Sequence, residues 1–371
     1  MVFVGGPRQV GKTTLSKAIA TSFPLSSYLL WDNPNDRKSI LKAEWPSQRS
    51  LIILDELHKY LRWKTWIKGQ YDKYLDHLRF IVTGSARLDV YRKGGDSLQG
   101  RYHYYRLHPF SLGEAQNSSL KQTPFKELNF HETFHTKDLQ SLFRFGGFPE
   151  PFFSQSEKEW RRWQKERQER VLREDVRDLE HIKDISLLHV LSDLLIERVG
   201  SPLSLNALRE DLEVSHKAVS HWVEIFEKLY FAFLIRPFTH KKTRSLKKEP
   251  KAYLWDWSLV VDEGARFENM IASHLLKLCH FLEDTEGYAM QLFYLRDRDK
   301  REVDFLVTCK NKPWFAVEAK LSDETPSPAL SYYQERLQIP FVYQVTFNGK
   351  RDFQKNAIRV MPASTFLSAL P

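Results

Sequence analysis

The first residues with a chemical signature form a glycine-rich loop near the amino terminus. From Gly6 to Thr13 they follow the pattern Gly-x-x-x-x-Gly-Lys-Thr in full. In such a loop, backbone N–H groups surround the phosphates, the lysine contacts the β- and γ-phosphates, and the threonine hydroxyl coordinates Mg²⁺. We therefore predict that ATP binds here, with Lys12 on its phosphates and Thr13 on Mg²⁺. The predicted nucleotide-binding residues are Gly6, Pro7, Arg8, Gln9, Val10, Gly11, Lys12, Thr13 and Thr14.

A second signature is an apolar run that ends in two carboxylates. Leu51–Leu54 is followed directly by Asp55 and Glu56. In an open α/β sheet the ligand crevice lies at the carboxyl ends of the strands. Asp55 is predicted to hold the Mg²⁺ shell, and Glu56 is predicted to polarise the water that attacks ATP. An ordinary strand with an acidic end is the alternative, and the order of the two motifs weakens it.

Two polar residues are weaker candidates for the same chemistry. Ser85 follows the apolar run Phe80–Thr83 and could sense the γ-phosphate or position water. Arg101, in Gly100-Arg101, could supply positive charge at the transition state, either in its own chain or in a neighbouring copy. A plain surface arginine is an equal alternative.

Four charged residues in the carboxyl-terminal part form another candidate site. Asp304 lies in an apolar run, and Glu318 and Lys320 are two residues apart, so they face one side of a strand. With Glu268 from a preceding helix, they could bind Mg²⁺ or Mn²⁺ and activate water for phosphodiester cleavage. The alternative is a structural ion-pair cluster without activity, because pairing also stabilises buried charges.

The elements that position these residues follow from alternating apolar runs and helix-like stretches. Five short apolar runs within residues 1–115 are separated by helical segments, which predicts a doubly wound, mainly parallel sheet. The runs are Val2–Val4, Tyr28–Trp31, Leu51–Leu54, Phe80–Thr83 and Tyr102–Leu107. The predicted fold class is α/β: a P-loop NTPase parallel sheet, then a helical domain, then a small α/β domain.

Residues 186–238 predict a different unit. Leu205–Leu212 and His216–Leu229 are predicted helices and Phe231–Ile235 a strand, an order typical of a winged helix. The basic residues Lys241, Lys242, Arg244, Lys247, Lys248 and Lys251 follow where a wing would lie. With a net charge of +9, this composition favours DNA or RNA as a partner. A protein-packing module and a merely basic soluble protein remain alternatives.

Together these motifs resemble those of prokaryotic AAA-family ATP-binding proteins. The segments that carry the resemblance are Gly6–Thr14, Leu54–Lys59, Thr83–Ala86, Gly100-Arg101, Leu107–Ser111, Gly146–Glu150, Phe267–Asn269, Glu302–Phe305 and Val317–Lys320. The resemblance implies an AAA-type core, a winged-helix segment and a carboxyl-terminal domain of unknown function like PD-(D/E)XK nucleases. Members usually carry residues before the first strand, whereas that strand begins here at Met1. A truncated or misassigned start is therefore expected, which leaves nucleotide affinity and base preference open.

The predicted domains are an AAA-type ATPase (1–150), a linker helix (151–185), a winged-helix-like domain (186–251) and a nuclease-like domain (252–371). Cys279 and Cys309 are predicted to be buried in a reducing compartment, and no apolar run has transmembrane length, so we expect a cytoplasmic protein without a membrane partner. The predicted function is hydrolysis of Mg-ATP coupled to a nucleic-acid-directed module, in a chain that could form a homo-oligomer. An ATP-switched regulator with an inactive nuclease-like domain and a protein remodeller are the alternatives.

Overall fold

The computed structural model describes residues 1–84, 98, 100–118, 120–130, 136–175, 185–239 and 248–371. Two compact units are present, one formed by residues 1–108 with 228–230, the other by residues 109–227 with 231–371. The finer domain boundaries drawn from the sequence stay predictions. In the described part of the chain, no helix is both long enough and apolar enough to cross a membrane.

The first unit is built on a five-stranded sheet with the order β2-β3-β4-β1-β5. Every pair of neighbouring strands is parallel. The strands are β1 (Val2–Gly5), β2 (Ser26–Leu30), β3 (Ser50–Asp55), β4 (Leu78–Gly84) and β5 (His103–Arg106). The α/β prediction is confirmed, and each of the five predicted apolar runs corresponds to one strand.

Both faces of this sheet are covered at its strand β3, which explains why Leu51–Leu54 are all apolar. Ile52 and Leu54 belong to one hydrophobic cluster, whereas Leu51 and Ile53 belong to another. Successive residues of a strand point to opposite faces, so β3 must be apolar on both. The helices of this unit are α1 (Lys12–Ala20), α2 (Pro34–Lys42) and α3 (Trp63–Tyr74), with a 3-10 turn at Leu57–Lys59.

The second unit contains most of the helices. Gly146 turns the chain after the helix Thr136–Phe145 with a φ of 80°, a conformation that favours glycine. In the described ranges the helices are α4 (Leu112–Ala115), α5 (Thr136–Phe145), α6 (Pro149–Ser154), α7 (Glu157–Arg170), α8 (Ile185–Glu197), α9 (Leu205–Asp211), α10 (His216–Lys228), α11 (Glu263–Glu286), α12 (Pro328–Leu337) and α13 (Ala363–Ser368).

An eight-stranded mixed sheet supports these helices, in the order β12-β13-β11-β10-β9-β8-β6-β7. Its strands are β6 (Ala232–Pro237), β7 (Lys251–Leu254), β8 (Met290–Arg296), β9 (Glu302–Cys309), β10 (Lys312–Lys320), β11 (Phe341–Thr346), β12 (Phe353–Lys355) and β13 (Ile358–Pro362). The β6–β7 pair is antiparallel, and β6 also pairs with β8 in parallel. The hairpin that follows α10 is therefore continuous with the carboxyl-terminal sheet.

The Phe267-Glu268-Asn269 segment attaches α11 to this hairpin. The Leu254 N–H donates to Asn269 Oδ1 at 2.8 Å, and Asn269 Nδ2 donates to the Leu254 carbonyl at 2.8 Å. Phe267 is buried in the core beneath. Since β7 is the edge strand, the Asn269 amide satisfies backbone groups that no further strand pairs with. The neighbouring Glu268 is thereby fixed against β7.

Candidate nucleotide site and carboxylate cluster

The predicted phosphate loop lies between β1 and α1, at the carboxyl end of its strand. Gly6 and Gly11 have φ values of 152° and 101°, and a Cβ on Gly6 would lie 2.3 Å from the Leu107 carbonyl oxygen. Both positions therefore require glycine. Gly11 is the N-cap of α1 and offers no side-chain acceptor, so the first N–H groups of the helix remain for another acceptor. This arrangement suits an anionic group such as a phosphate.

Lys12 is folded against the loop from which it projects. Its Nζ donates to the carbonyl oxygens of Gly6 (2.9 Å) and Pro7 (2.7 Å), and the residue is only 7% exposed. The ammonium is thus held on the inner side of the loop by two carbonyl oxygens. Phosphate oxygens are hydrogen-bond acceptors of the same kind and could take their place.

Asp55 collects hydroxyl donors at the carboxyl end of β3. Thr13 Oγ1 donates to Asp55 Oδ2 at 2.8 Å, Tyr28 donates to the same oxygen at 2.6 Å, and Thr83 donates to Oδ1. Burial raises the pKa of Asp55, but the hydrogen bonds from Thr83, Tyr28 and Thr13 outweigh burial and hold that pKa below its usual value. A hydroxyl beside an ionised carboxylate is the hard oxygen pair that Mg²⁺ prefers, so these residues fit the ion.

Glu56 follows directly and has a different environment. Its φ is 58°, and its N–H donates to the Thr83 carbonyl at 3.0 Å. Glu56 Oε2 lies 3.6 Å from His58 Nε2 and 3.7 Å from Lys59 Nζ, and Lys59 also pairs with Asp32 at 2.5 Å. Burial raises the pKa of Glu56, and the charges of Lys59 and Lys12 only partly oppose it. This carboxyl therefore retains a proton more readily than a solvated one.

Arg101 does not join these residues within one chain. Val2 of β1 and His103 of β5 are partners in a parallel pair, so Arg101 lies just before the strand, at the edge of the sheet opposite the loop. Its guanidinium binds both carboxylate oxygens of Asp72, at 2.8 and 3.2 Å. A role in a neighbouring copy stays a prediction. Ser85 lies outside the described residues.

The four residues of the carboxyl-terminal candidate site do lie together, but an additional lysine is among them. Lys251 Nζ is 2.6 Å from Glu302 Oε1, 3.1 Å from Glu268 Oε1 and 3.9 Å from Asp304 Oδ1. The prediction that Lys251 belongs to the basic residues of a nucleic-acid-binding wing is wrong, because this first residue of β7 is only 1% exposed. Its ammonium neutralises carboxylates of the same chain.

The rest of the cluster is paired as well. Lys320 Nζ lies 2.8 Å from Glu318 Oε1, as expected for residues on one face of β10. The Ala319 N–H donates to Asp304 Oδ2 at 2.9 Å, and the Asp304 N–H donates to Glu318 Oε2 at 3.4 Å. Two lysines and two backbone N–H groups therefore surround these carboxylates.

Burial and mutual repulsion raise the pKa values of the carboxyls in this cluster. Burial, then the charge of Asp304, raises the pKa of both Glu268 and Glu318 to about 7. Burial also raises the pKa of Asp304 itself. Among the described residues, no group of three or more His, Cys, Asp or Glu side chains is arranged to hold a metal ion. The cluster thus does not fit the predicted Mg²⁺ or Mn²⁺, and no hydrolytic step follows from it.

Five contributing residues were not predicted. They are Tyr28 and Thr83 in the nucleotide site, and Lys251, Tyr253 and Glu302 in the carboxylate cluster. Glu302 could have been found, because it is two residues before Asp304 and shares its strand face. Nothing in the sequence around Tyr28 indicates that its hydroxyl reaches Asp55.

Known proteins resemble this chain in three segments. Residues 1–116 match the family described as AAA domain, residues 136–263 match a domain of unknown function (DUF8612), and residues 263–366 match another (DUF4143). The first unit therefore contains an AAA-type P-loop domain. The two families matched by the rest of the chain have no described function.

Whole-chain relatives add no assigned role. An uncharacterized protein of Methanocaldococcus jannaschii is 26% identical over 77% of this chain and 70% of its own length. An uncharacterized protein of Mycobacterium tuberculosis is 21% identical over 89% and 72%. Among solved structures, the Aeropyrum pernix ORC1 protein in complex with DNA has a TM-score of 0.32, at 13% identity over 73% of this chain and 86% of that one. Thermotoga maritima RuvB has a TM-score of 0.29, at 17% identity over 67% and 87%. Scores of this size carry no argument.

Proposed function

We propose that this protein hydrolyses ATP at the site formed by the phosphate loop, Asp55 and Glu56. The observation that carries the proposal is the 2.8 Å contact between Thr13 Oγ1 and Asp55 Oδ2, next to a lysine held inside the loop. Phosphate oxygens would replace the carbonyl acceptors of Lys12. Mg²⁺, held by Thr13 and Asp55, would neutralise charge on the phosphates when bound.

Glu56 supplies the polarising carboxylate in this proposal. It follows Asp55 at the end of the same strand, so it lies on the side of the sheet edge where the phosphates would bind. A carboxyl whose pKa is raised is a stronger proton acceptor once it is ionised. Glu56 would therefore orient the attacking water and accept its proton.

Two substitutions test the assignment. Lys12→Ala should lose ATP binding, because it removes the charge that faces the phosphates. Glu56→Gln should bind ATP as the wild type does and hydrolyse it at least about 100-fold more slowly, the typical loss for a missing acid–base group. Binding is measured with a fluorescent ATP analogue and turnover by phosphate release. Glu44→Gln, at an exposed glutamate of the same unit, is the matched control. Wild-type turnover by Glu56→Gln would contradict the role of Glu56.

We further propose that the nucleotide state controls a module directed at nucleic acid. The support is local: α9, α10 and the β6–β7 hairpin follow one another in the order typical of a winged helix. Lys248 is exposed before β7, and the basic residues 241–247 lie outside the described part of the chain. ATP turnover measured with and without DNA or RNA tests this coupling, since a nucleic-acid partner should change the rate.

Between a nuclease and an ATP-switched regulator, one observation favours the regulator. The carboxylates that would have to bind a catalytic metal ion are engaged by Lys251 and Lys320. In the regulator proposal, the nuclease-like domain has no catalytic role, and its sheet supports the β6–β7 hairpin. The test is cleavage of labelled DNA or RNA in the presence of Mn²⁺. If the wild type cleaves and Asp304→Ala does not, the nuclease proposal is favoured over the regulator.

A further inference from the structure

The carboxylate cluster of the second unit has a cation at its centre. Lys251 Nζ lies within 4 Å of carboxylate oxygens from three residues, which are contributed by α11 and β9. The surrounding part of the described structure contains four carboxylates, Glu268, Glu302, Asp304 and Glu318, and the cations Lys251, Lys320 and Arg296, which pairs with Glu302 at 2.9 Å. The carboxylates therefore outnumber the cations even with Lys251 in place.

The backbone holds Lys251 at this position. Pro202 forms an isolated antiparallel bridge with Lys251, and the Leu203 N–H donates to the Pro250 carbonyl at 2.7 Å. Three residues further along, the Asn269 amide binds the backbone of Leu254. Both ends of β7 are thus fixed, which holds the backbone of Lys251 beside the cluster.

Neighbouring groups complete an enclosure that suits a cation. Tyr253 donates to Glu268 Oε1 at 2.6 Å. Gly200 lies so close that a Cβ there would be 3.1 Å from Glu268 Oε2. Carboxylates in such a partly buried enclosure repel one another strongly unless a positive charge lies between them.

We propose that the Lys251 ammonium is the resident cation of this cluster, in the place that a divalent ion would otherwise take. Wild-type protein should then bind no metal ion here. In the present arrangement no three of these side chains are set to hold a metal ion. Removal of the lysine charge should let Glu268, Glu302 and Asp304 close around a hard cation, because oxygen ligands of this kind bind Mg²⁺, Mn²⁺ or a lanthanide. The inference is independent of ATP hydrolysis, since none of these residues belongs to the phosphate loop or to β3.

Terbium luminescence of the full chain tests the proposal. Tyr253 contacts Glu268, so excitation of this tyrosine should sensitise Tb³⁺ bound in the cluster. Lys251→Met keeps an unbranched side chain, one atom shorter, and removes its charge. It should gain a saturable Tb³⁺ signal that Mn²⁺ competes away. Adding Asp304→Asn should weaken that binding by at least about 10–100-fold, the usual loss for an outer-shell partner, because Asp304 would be a direct ligand.

Two controls separate this signal from other sources. Lys320→Met removes the half-buried lysine that pairs with Glu318 but leaves Lys251 in place, so it should stay at the wild-type level. Asp55 is intact in every variant, so Tb³⁺ bound near the phosphate loop would not respond to Asp304→Asn. A saturable wild-type signal that Asp304→Asn abolishes would overturn the proposal.

Folding gives a second readout. If Lys251→Met folds only when Mn²⁺ is present, as judged by circular dichroism, the metal has replaced the ammonium and the proposal is supported. A folded Lys251→Met variant that binds no Tb³⁺ would contradict it. Failure to fold both with and without Mn²⁺ would also contradict it, because the cluster would then need the lysine for more than its charge.

Discussion

Asp55 and Glu56 are adjacent in sequence, yet their surroundings shift their pKa values in opposite directions. Three hydroxyl donors stabilise the ionised form of Asp55, whereas Glu56 Oε2 accepts no hydrogen bond from the described residues and has two cationic neighbours at more than 3.5 Å. Pairs of carboxyls that differ in this way are typical of divided chemical roles. Asp55 suits a permanent cation ligand, and Glu56 suits a group that accepts a proton.

The raised pKa of Glu56 predicts an acid limb in the pH dependence of ATP turnover. Glu56 must be ionised to accept a proton, so turnover should fall as pH decreases through its raised pKa, above the 4.5 of a solvated glutamate. Lys59 lowers this pKa, so Lys59→Gln should move the acid limb to higher pH. Lys38→Gln, on the exposed side of α2, is the control and should leave the profile unchanged. Coincident profiles for all three proteins would exclude Glu56 as the titrating group.

The residues around Asp55 show which parts of the nucleotide site a single sequence can predict. The motifs located Lys12, Thr13 and Asp55 because their spacing relative to strands and helices is local. Tyr28 and Thr83 reach Asp55 from β2 and β4, and such contacts depend on the order of strands in the sheet. Strand order is set by non-local pairing, so a single sequence leaves the hydroxyl partners of Asp55 undetermined.

At the scale of elements, the Phe267-Glu268-Asn269 segment joins helix, hairpin and cluster. Asn269 is fully buried and makes two hydrogen bonds with the backbone of Leu254. Asn269→Ala should leave a buried N–H and a buried carbonyl unpaired, which costs about 2–4 kcal/mol of unfolding free energy. Urea unfolding followed by circular dichroism measures the change.

A substitution on the same helix gives the comparison. Thr285 is exposed near the end of α11 and bonds only to the Phe281 carbonyl of its own helix in the described structure. Thr285→Ala should change the unfolding free energy by less than about 0.5 kcal/mol, the usual range for surface sites. Equal effects of Thr285→Ala and Asn269→Ala would mean that the helix–hairpin contact contributes little.

The positions of helices and strands along the chain were predicted better than the contacts between them. The helices predicted at 205–212 and 216–229 and the strand predicted at 231–235 are present with small changes in their ends. Within the predicted linker helix (151–185), α7 ends at Arg170 and continues as a π-helical turn to Asp175 in the described residues. The burial of Lys251 could not be predicted, because its carboxylate partners lie on α11 and β9 and are brought to β7 only by folding.

For the molecule as a whole, the 56 Lys and Arg side chains divide between those that neutralise carboxylates of the chain itself and those that remain for an external partner. Lys251 belongs to the first group, which leaves five basic residues of the predicted wing for a partner. These residues are Lys241, Lys242, Arg244, Lys247 and Lys248. If they contact nucleic-acid phosphates, each contact releases counterions, so binding should weaken steeply as salt increases.

Replacing these five residues with Gln should flatten that salt dependence. For duplex DNA, the slope of log K against log salt should decrease by up to about 4.5, at roughly 0.9 for each lost phosphate contact. The matched control replaces Lys158, Arg161, Arg162, Lys165 and Arg170 of α7 with Gln, which removes the same charge from another surface. An equal decrease in both variants would indicate diffuse attraction by net charge. An unchanged slope in the wing variant would remove the proposed footprint and favour a protein as the partner of this module. A decrease confined to the wing variant would assign the nucleic-acid contact to the basic residues at 241–248.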